Sequence, residues 1–209
     1  TPGLTVHEKF LELKSGKVGV LKAQNKLMAP DGKQVATETF TIRFSAQGER
    51  QFIDFDVVIK ASHGKVVMGD TKEGCMAIRL ASTMRVKAVD KSPGQGQIVT
   101  SAGITGAEAW GTKAAWVDYH GPVNGKMVGV AIFDHPGNLR HPTWWHVRDY
   151  GLFAANPFGQ RYFEKLKDTT AGNYTIPPGK SLTQRYRFYF HKGDTKQAQV
   201  DSQYRAWSK

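Results

Sequence analysis

Residues 51–60 read QFIDFDVVIK, and this stretch decides the fold. Its apolar side chains recur at every second position, while two aspartates and a lysine occupy positions on the opposite face. A period of two is typical of a β-strand with one buried and one solvated face. Residues 35–46 alternate in the same way, and Gln47-Gly48-Glu49 joins the two segments by a short turn that contains glycine. The pattern therefore predicts a β-hairpin.

The same pattern recurs along the chain. Strands are also predicted over residues 4–13, 18–28, 66–69, 74–81, 114–119, 126–133 and 182–191. Helical periodicity is confined to residues 160–166 and 195–207, and the spacing in the second segment would also permit a terminal strand or an irregular tail. Many short strands separated by glycine-rich turns favour an all-β antiparallel β-sandwich with few short helices over an α/β sheet. No repeat or linker divides the chain, so residues 1–209 are interpreted as a single β-sandwich domain.

Composition excludes several classes of protein. The chain has 209 residues, of which 40% are hydrophobic, and this suits a domain with a sizeable core rather than a disordered chain. No apolar run long enough to cross a membrane and no export signal are visible. Cys75 is the only cysteine, so an intrachain disulfide is ruled out. We therefore predict no membrane association.

The charge is strongly positive but dispersed. Lys and Arg number 29 against 18 Asp and Glu, which gives a formal net charge of +11. A protein that neutralises nucleic-acid phosphates carries its basic residues in clusters. Here they stand singly along the chain, without a block of like charge. Binding of nucleic acid is therefore the least favoured function.

The densest group of chemically useful residues covers positions 133–159. It follows a predicted strand, so we interpret Asp134–Asn156 as a loop at one end of the sandwich, where binding residues are commonly held. Histidines there can act as an acid or a base, or satisfy turn carbonyls. If residues 144 and 145 are extended, one tryptophan faces the core and only one is free. The catalytic candidates are His135, His146 and Asp149; the binding candidates are Asn138, Trp145, Arg148 and Asn156.

Two further clusters could join this one. Residues 69–74 read GDTKEG and place Lys72 and Glu73 in a polar turn, which an ordinary hairpin loop would also explain. Residues 110–121 put Asp118 on one strand face with His120, beside Tyr119. The histidine spacings match no metal signature, and no Gly-x-Ser-x-Gly elbow or phosphate-binding glycine loop is present. Neither a metal nor a cofactor is predicted.

These segments resemble a bacterial family known as PmoA, or methane oxygenase PmoA. The matching stretches are residues 69–74 with Arg79, 110–119, 134–138, 145–159, 178–182 and 186–187. The resemblance implies a β-sandwich, either a jelly roll or a mutarotase-like supersandwich, and a link to bacterial carbohydrate use. No copper or iron ligand set can be built from these residues, so they do not predict an oxygenase. A periplasmic or secreted location is favoured over a cytoplasmic one.

The sequence departs from that family at its start. Members carry an upstream His-His-Arg-Gly segment, and nothing in this chain matches it. The chain therefore resembles the C-terminal two-thirds of such a domain, and an upstream N-terminal segment is expected to be missing. An exposed sheet edge would then be free to pair with another chain, so self-association through an open edge is a further expectation.

The leading hypothesis is a protein that binds or acts on a small saccharide or oligosaccharide in a site lined by histidine, tryptophan and acids. In the enzymatic version His146 or His135 is the acid or base, Glu73 or Asp149 is its carboxylate partner, and the reaction is that of a hydrolase, lyase or isomerase. Lys72, Asp118, Tyr119, Asn138, Trp145, Arg148 and Asn156 would contact the sugar. The alternatives are a non-catalytic carbohydrate-binding or assembly module and, last, a basic nucleic-acid-binding protein.

Overall fold

The computed structural model describes residues 3–88 and 93–209. Its first four strands are long and pair in chain order. They are β1 (Leu4–Lys14), β2 (Val18–Met28), β3 (Gln34–Gln47) and β4 (Arg50–Lys60). The predicted hairpin is confirmed as β3 and β4, whose antiparallel register closes at Gln47 opposite Arg50. Gly48 in the turn has a φ of 61°, a conformation that glycine adopts without steric cost.

Shorter strands and two helices complete the chain. The strands are β5 (Val66–Met68), β6 (Met76–Arg79), β7 (Gln97–Thr100), β8 (Lys113–Ala114), β9 (Trp116–Val123), β10 (Lys126–Asp134), β11 (Thr143–Val147), β12 (Leu152–Asn156), β13 (Tyr174–Ile176) and β14 (Ser181–Lys192). The helices are α1 (Gln160–Phe163) and α2 (Val200–Trp207), and two 3₁₀ turns lie at Ser82–Met84 and Gly106–Ala109. None of the helices in the described ranges is long and apolar enough to span a bilayer.

The strands form three antiparallel sheets. The large sheet has eight strands in the order β1-β2-β3-β4-β14-β10-β9-β7. The small sheet has four strands in the order β6-β12-β11-β8, and β13 pairs with β5 in a two-stranded ribbon. The predicted all-β antiparallel sandwich with few short helices is confirmed.

The main core lies between the large and the small sheet. The large sheet contributes Tyr119, Ile132 and Tyr186, and the small sheet contributes Trp145 and Phe153. A second apolar cluster covers the opposite face of the large sheet, where Phe133 and Tyr189 pack against Val200 of α2. The strands β14, β10 and β9 are therefore buried on both faces, which makes them a rigid support for the small sheet.

The interpretation of Asp134–Asn156 as a loop is wrong. Residues 143–147 and 152–156 form β11 and β12, and every residue of β11 is buried. A strand that is covered on both faces carries bulky residues at successive positions and loses the period-two pattern. The segment predicted over residues 114–119 is also divided, because the chain passes from β8 in the small sheet to β9 in the large one at Ala115.

The other end of the large sheet is uncovered. All residues of β1 are exposed, and its outer edge pairs with no strand in the described part of the chain. An apolar groove of about 710 Å³ lies over β3, β4 and β14, lined by residues that include Phe44, Ile53, Phe55 and Phe188. The small sheet thus covers only part of the large sheet.

Candidate functional site

The outer face of the small sheet gathers several polar side chains. Along β11, Trp145 and Val147 point into the main core, so alternation turns Trp144 and His146 to the outer face. On β12, Ala154 lies opposite His146, and Asn156 lies opposite Trp144. The small side chain of Ala154 leaves room for the loop of residues 69–75 to cross this face.

That loop is fastened by hydrogen bonds to the small sheet. The backbone N–H of Cys75 donates to Ala155 at 3.1 Å, and that of Thr71 donates to Phe158 at 2.9 Å. Nδ2 of Asn156 donates to the carbonyls of Thr71 and Lys72 at 2.8 and 3.0 Å. Asn156 Oδ1 accepts the N–H of Phe158 at 2.9 Å. Asn156, predicted to contact substrate, therefore positions the loop that carries Lys72 and Glu73.

His146 is held in one tautomer by this loop. Its Nδ1 lies 2.8 Å from the carbonyl oxygen of Lys72, which only accepts, so Nδ1 carries the proton. Nε2 of the neutral ring is then an acceptor, and no described residue donates a hydrogen bond to it. The residue is only 4% exposed, and burial lowers the pKa of the imidazole. His146 is therefore a neutral base near pH 7.

Glu73 is the nearest carboxylate to this histidine. Its Oε2 lies 3.9 Å from Nδ1 of His146, which exceeds a hydrogen-bond distance. Its Oε1 lies 3.4 Å from Nζ of Lys72, and the side chain is 69% exposed. Lys72, Glu73 and His146 are thus brought together, with the acid beside the base rather than bonded to it.

Aromatic rings and guanidinium groups continue the site. The ring of Trp110 lies 6.3 Å from that of His146 and 5.4 Å from that of Phe163, edge to face in both pairs. Cζ of Arg148 lies 5.4 Å from the centre of the Trp110 ring and 5.6 Å from that of Tyr150. Cζ of Arg79 lies 5.5 Å from the Tyr150 ring. We call the following set the outer-face site: Lys72, Glu73, Arg79, Trp110, His146, Arg148, Tyr150 and Phe163.

The turn between β11 and β12 presents Arg148 and Tyr150. It closes through the N–H of Gly151, which donates to the carbonyl of Arg148 at 3.0 Å, and Gly151 has a φ of 91°. The carbonyl of Asp149 accepts a hydrogen bond from the buried Tyr119 hydroxyl at 3.1 Å. Tyr119 therefore supports the turn from inside the core, and burial raises the pKa of its phenol. The Asp149 carboxylate forms no hydrogen bond or ion pair with any described residue.

His135 and Asn138 lie in a separate cluster after β10. Nδ2 of Asn138 donates to Oδ1 of the buried Asp134 at 2.7 Å, and Nδ1 of His141 lies 2.7 Å from Oδ2 of the same carboxylate. Asn138 also bonds the backbone of Arg185 in both directions. His135 Nδ1 accepts the N–H of Gly137 at 2.9 Å, and its ring packs on Trp207. These contacts fix a turn.

Asp118 lies on the opposite face of the large sheet. Its Oδ2 lies 3.1 Å from Nδ1 of His120, and its Oδ1 lies 2.9 Å from Nε2 of His191. The hydroxyl of Thr195 donates to Oδ2 at 2.5 Å. Burial by itself would raise the pKa of Asp118, but the hydrogen bonds from His120, His191 and Thr195 outweigh it and lower the pKa. This is a buried network under the C-terminal segment, remote from His146.

The predicted site residues are thus divided among four places: the outer-face site, the turn after β10, the Asp118 network and the main core. Lys72, Glu73, His146 and Arg148 lie in the outer-face site, Asn156 supports it, and Asp149 touches it through its backbone. His135, Asn138, Asp118, Tyr119 and Trp145 lie elsewhere. Sequence reasoning missed Trp110, Tyr150 and Phe163 because only strand register and loop packing bring them to His146. Within residues 3–88 and 93–209, no three His, Cys, Asp or Glu side chains are arranged to hold a metal.

Comparison with solved structures finds a distant likeness to an α-galactosidase from Lactobacillus brevis. The two chains are 9% identical and superpose with a TM-score of 0.37, which is too low to support an argument about function. The likeness covers 93% of this chain and 28% of that chain. No curated protein matches the sequence.

A family model settles the relationship of the chain. It matches residues 1–205 and describes a family of unknown function, DUF6807. The expected membership of the PmoA family, with the chain as its C-terminal two-thirds, is therefore wrong. The chain belongs to the DUF6807 family of unknown function.

Proposed function

We propose that the protein binds a saccharide at the outer-face site, with Nε2 of His146 as the group that exchanges a proton with it. The observation that carries this proposal is the tautomer of His146. Because the Lys72 carbonyl fixes the proton on Nδ1, Nε2 keeps a free lone pair, on a ring that Trp110 and Phe163 contact edge to face. A fixed, neutral imidazole is suited to general-base catalysis near pH 7.

The surroundings of His146 suit a sugar. The rings of Trp110 and Tyr150 offer apolar surface to the C–H groups of a pyranose, while the Arg148 guanidinium beside them offers N–H donors to its oxygens. Nε1 of Trp110 is buried and has no acceptor among the described residues, which costs roughly 1–3 kcal/mol. A combination of aromatic surface with few, fixed polar groups is typical of ligand sites.

Chemistry at this site would begin with proton transfer. Nε2 of His146 would accept a proton from a sugar hydroxyl or from an acidic carbon, a step that hydrolases, lyases and isomerases share. Glu73 lies close enough for its negative charge to stabilise the imidazolium that forms. Lys72 and Arg148 would orient the oxygens of the substrate.

The test measures binding and turnover over a panel of oligosaccharides by calorimetry and by product analysis. His146→Gln keeps a polar side chain but removes the base, so we expect turnover to fall about 100-fold or more with little loss of binding. His63→Ala, in an exposed loop beyond β4, is the matched control and should change neither quantity. Unchanged turnover in His146→Gln would contradict the catalytic part, and failure of every saccharide to bind would contradict the whole proposal.

A second candidate function is saccharide binding without turnover. The 3.9 Å between Glu73 Oε2 and His146 Nδ1 favours it, because no carboxylate among the described residues hydrogen-bonds to this histidine. In that case a saccharide binds to the protein, no product forms over hours, and Trp110→Ala weakens binding more than His146→Gln does.

A further inference from the structure

Two guanidinium groups of the outer-face site share one aromatic ring. Cζ of Arg79 and Cζ of Arg148 lie 5.5 and 5.6 Å from the centre of the Tyr150 ring. Arg79 is exposed and Arg148 is half-buried. Within residues 3–88 and 93–209, neither guanidinium forms an ion pair with a carboxylate or donates a side-chain hydrogen bond. Their N–H donors remain available to a ligand.

Three other arginines, Arg187, Arg43 and Arg140, use their side-chain donors within the protein. Arg187 bonds both oxygens of Asp54 at 2.5 and 2.7 Å, and Arg43 lies 2.6 Å from Asp56. Arg140 donates to three backbone carbonyls at 2.7, 2.7 and 3.0 Å. Contacts with aromatic rings hold Arg79 and Arg148 without using the N–H groups at the edges of their planes.

Charges at the site favour an anion. Lys72, Arg79 and Arg148 are cationic, and the neutral His146 adds no charge. The acids are Glu73, which pairs with Lys72, and Asp149, whose carboxylate pairs with neither arginine. Two cations on one ring repel each other, and an anion placed between their donors would remove that repulsion.

We propose that the ligand of the outer-face site is an anionic saccharide, and that Arg79 and Arg148 bind its charged group. This inference rests on the proposed function and adds the chemical class of the ligand. A guanidinium group matches a carboxylate or a sulfate through two parallel N–H donors, so both uronates and sulfated sugars fit the chemistry. Trp110 and Tyr150 would contact the ring that carries the anionic group.

The experiment compares charged and neutral forms of the same sugars at low ionic strength. The probes are galacturonate oligomers with their methyl esters, and sulfated dextran oligomers with unsulfated dextran of the same length. We expect one charged form to bind more tightly than its neutral partner. Arg79→Gln should weaken binding of that form about tenfold and leave binding of the neutral form unchanged, whereas Arg148→Gln, which also removes donors to neutral sugar oxygens, should weaken the charged form more than the neutral form.

Controls separate the site from the general positive charge. Arg205→Gln, on α2 at the opposite face of the large sheet, removes one exposed charge and should change no affinity. Arg148→Lys keeps the charge but loses the paired donors, so its affinity should fall between those of wild type and Arg148→Gln. Thermal unfolding of each variant shows that the change is in binding rather than in folding.

The outcomes distinguish this inference from the proposed function. Equal affinity for charged and neutral sugars, unaffected by the arginine substitutions, overturns the inference and leaves saccharide binding in place. If neither the charged nor the neutral sugars bind, both the inference and the proposed function are wrong. Tight binding of a single-stranded oligonucleotide that is lost in Arg79→Gln, with no sugar bound, would assign the arginines to nucleic acid instead. Preference for the uronate or for the sulfate identifies the anionic group.

Discussion

The two halves of the large sheet have the same strand pairing but opposite surroundings. In the half formed by β14, β10, β9 and β7, Phe133 and Tyr189 are 0% exposed because the small sheet covers one face and α2 the other. In the half formed by β1, β2 and β3, Phe10 is 56% exposed and Leu13 is 64% exposed. Backbone pairing is continuous across both halves. Backbone hydrogen bonding is therefore sufficient to form strands in both halves. Only the covered half is also packed against a second layer, and the outer-face site lies on the small sheet that forms part of that layer.

The largest contrast is expected between two phenylalanines. Phe133→Ala should lower the free energy of unfolding by roughly 3–5 kcal/mol, because it opens a cavity under α2. Phe10→Ala should change it by no more than about 0.5 kcal/mol, because the ring is already largely solvated. Urea denaturation measures both. Equal losses would mean that a partner covers β1 in solution.

The buried network around Asp118 allows the covered half and the exposed strand β1 to be compared through polar residues. Asp118→Ala leaves His120 and His191 without their carboxylate in the covered half, so we expect a loss of roughly 3–5 kcal/mol. Glu12→Ala, on exposed β1, is the control and should stay within about 0.5 kcal/mol. A loss below 1 kcal/mol in Asp118→Ala, on the order of a surface substitution, would contradict a structural role for the network.

Tyr119 connects the core to the candidate site. Tyr119→Phe removes the hydroxyl that donates a hydrogen bond to the Asp149 carbonyl, so the free energy of unfolding should fall by about 1 kcal/mol. That bond supports the turn of Arg148 and Tyr150 together with those from the backbone N–H groups of Val86 and Lys87 to the same carbonyl, so the affinity of the outer-face site should fall modestly as well. Tyr162→Phe, at the exposed surface of α1, serves as the control. Reduced stability with unchanged affinity would show that the turn keeps its shape without Tyr119.

Protonation should destabilise the folded protein in two pH ranges. The pKa of Asp118 is lowered on folding, so the ionised carboxylate stabilises the fold above the ordinary pKa of 3.8. This stabilisation is lost as the pH falls through the lowered pKa. The pKa of His146 is also lowered on folding. Below the ordinary pKa of 6.5 the unfolded chain therefore binds a proton that the folded chain does not bind, and this favours unfolding. Stability should therefore decline from pH 6.5 downward.

The pH experiment follows the urea midpoint against pH. His146→Gln should flatten the decline just below pH 6.5, and Asp118→Asn should flatten the one near and below pH 3.8. If the upper decline were unchanged in His146→Gln, its assignment to His146 would be wrong.

The smallest effect on monomer stability is expected at the open edge. We predict that β1 allows weak self-association, and Leu13→Lys should abolish it with little change in unfolding. Sedimentation velocity over a concentration series tests this. The two irregularities in the register of β1 with β2 oppose edge pairing, so association should be weak. A strictly monomeric wild type at high concentration would contradict the prediction.

Much of the fold could be predicted from local patterns. The hairpin of β3 and β4 followed from alternation and a glycine turn, and β1, β2, β10 and β14 lie where alternation placed them. Prediction failed at β11 and β12, because residues 143–147 are buried on both faces and show no period of two. Crowded histidines and tryptophans were interpreted as a loop, whereas Trp145 is a core residue and His146 its neighbour on the outer face.

The sequence by itself determined the class of the fold and part of the site. Period-two alternation specifies which side chains share a face, and the crowding of polar and titratable residues in two segments identified Lys72, Glu73, His146 and Arg148 as candidates. Only the tertiary structure decided that Trp110, Tyr150 and Arg79 join them, and that Asp118 and Asn138 do not. The reason is physical: alternation is a local property of one strand, whereas the meeting of residues distant in the chain depends on sheet order and loop packing. Those are set by burial of the whole core.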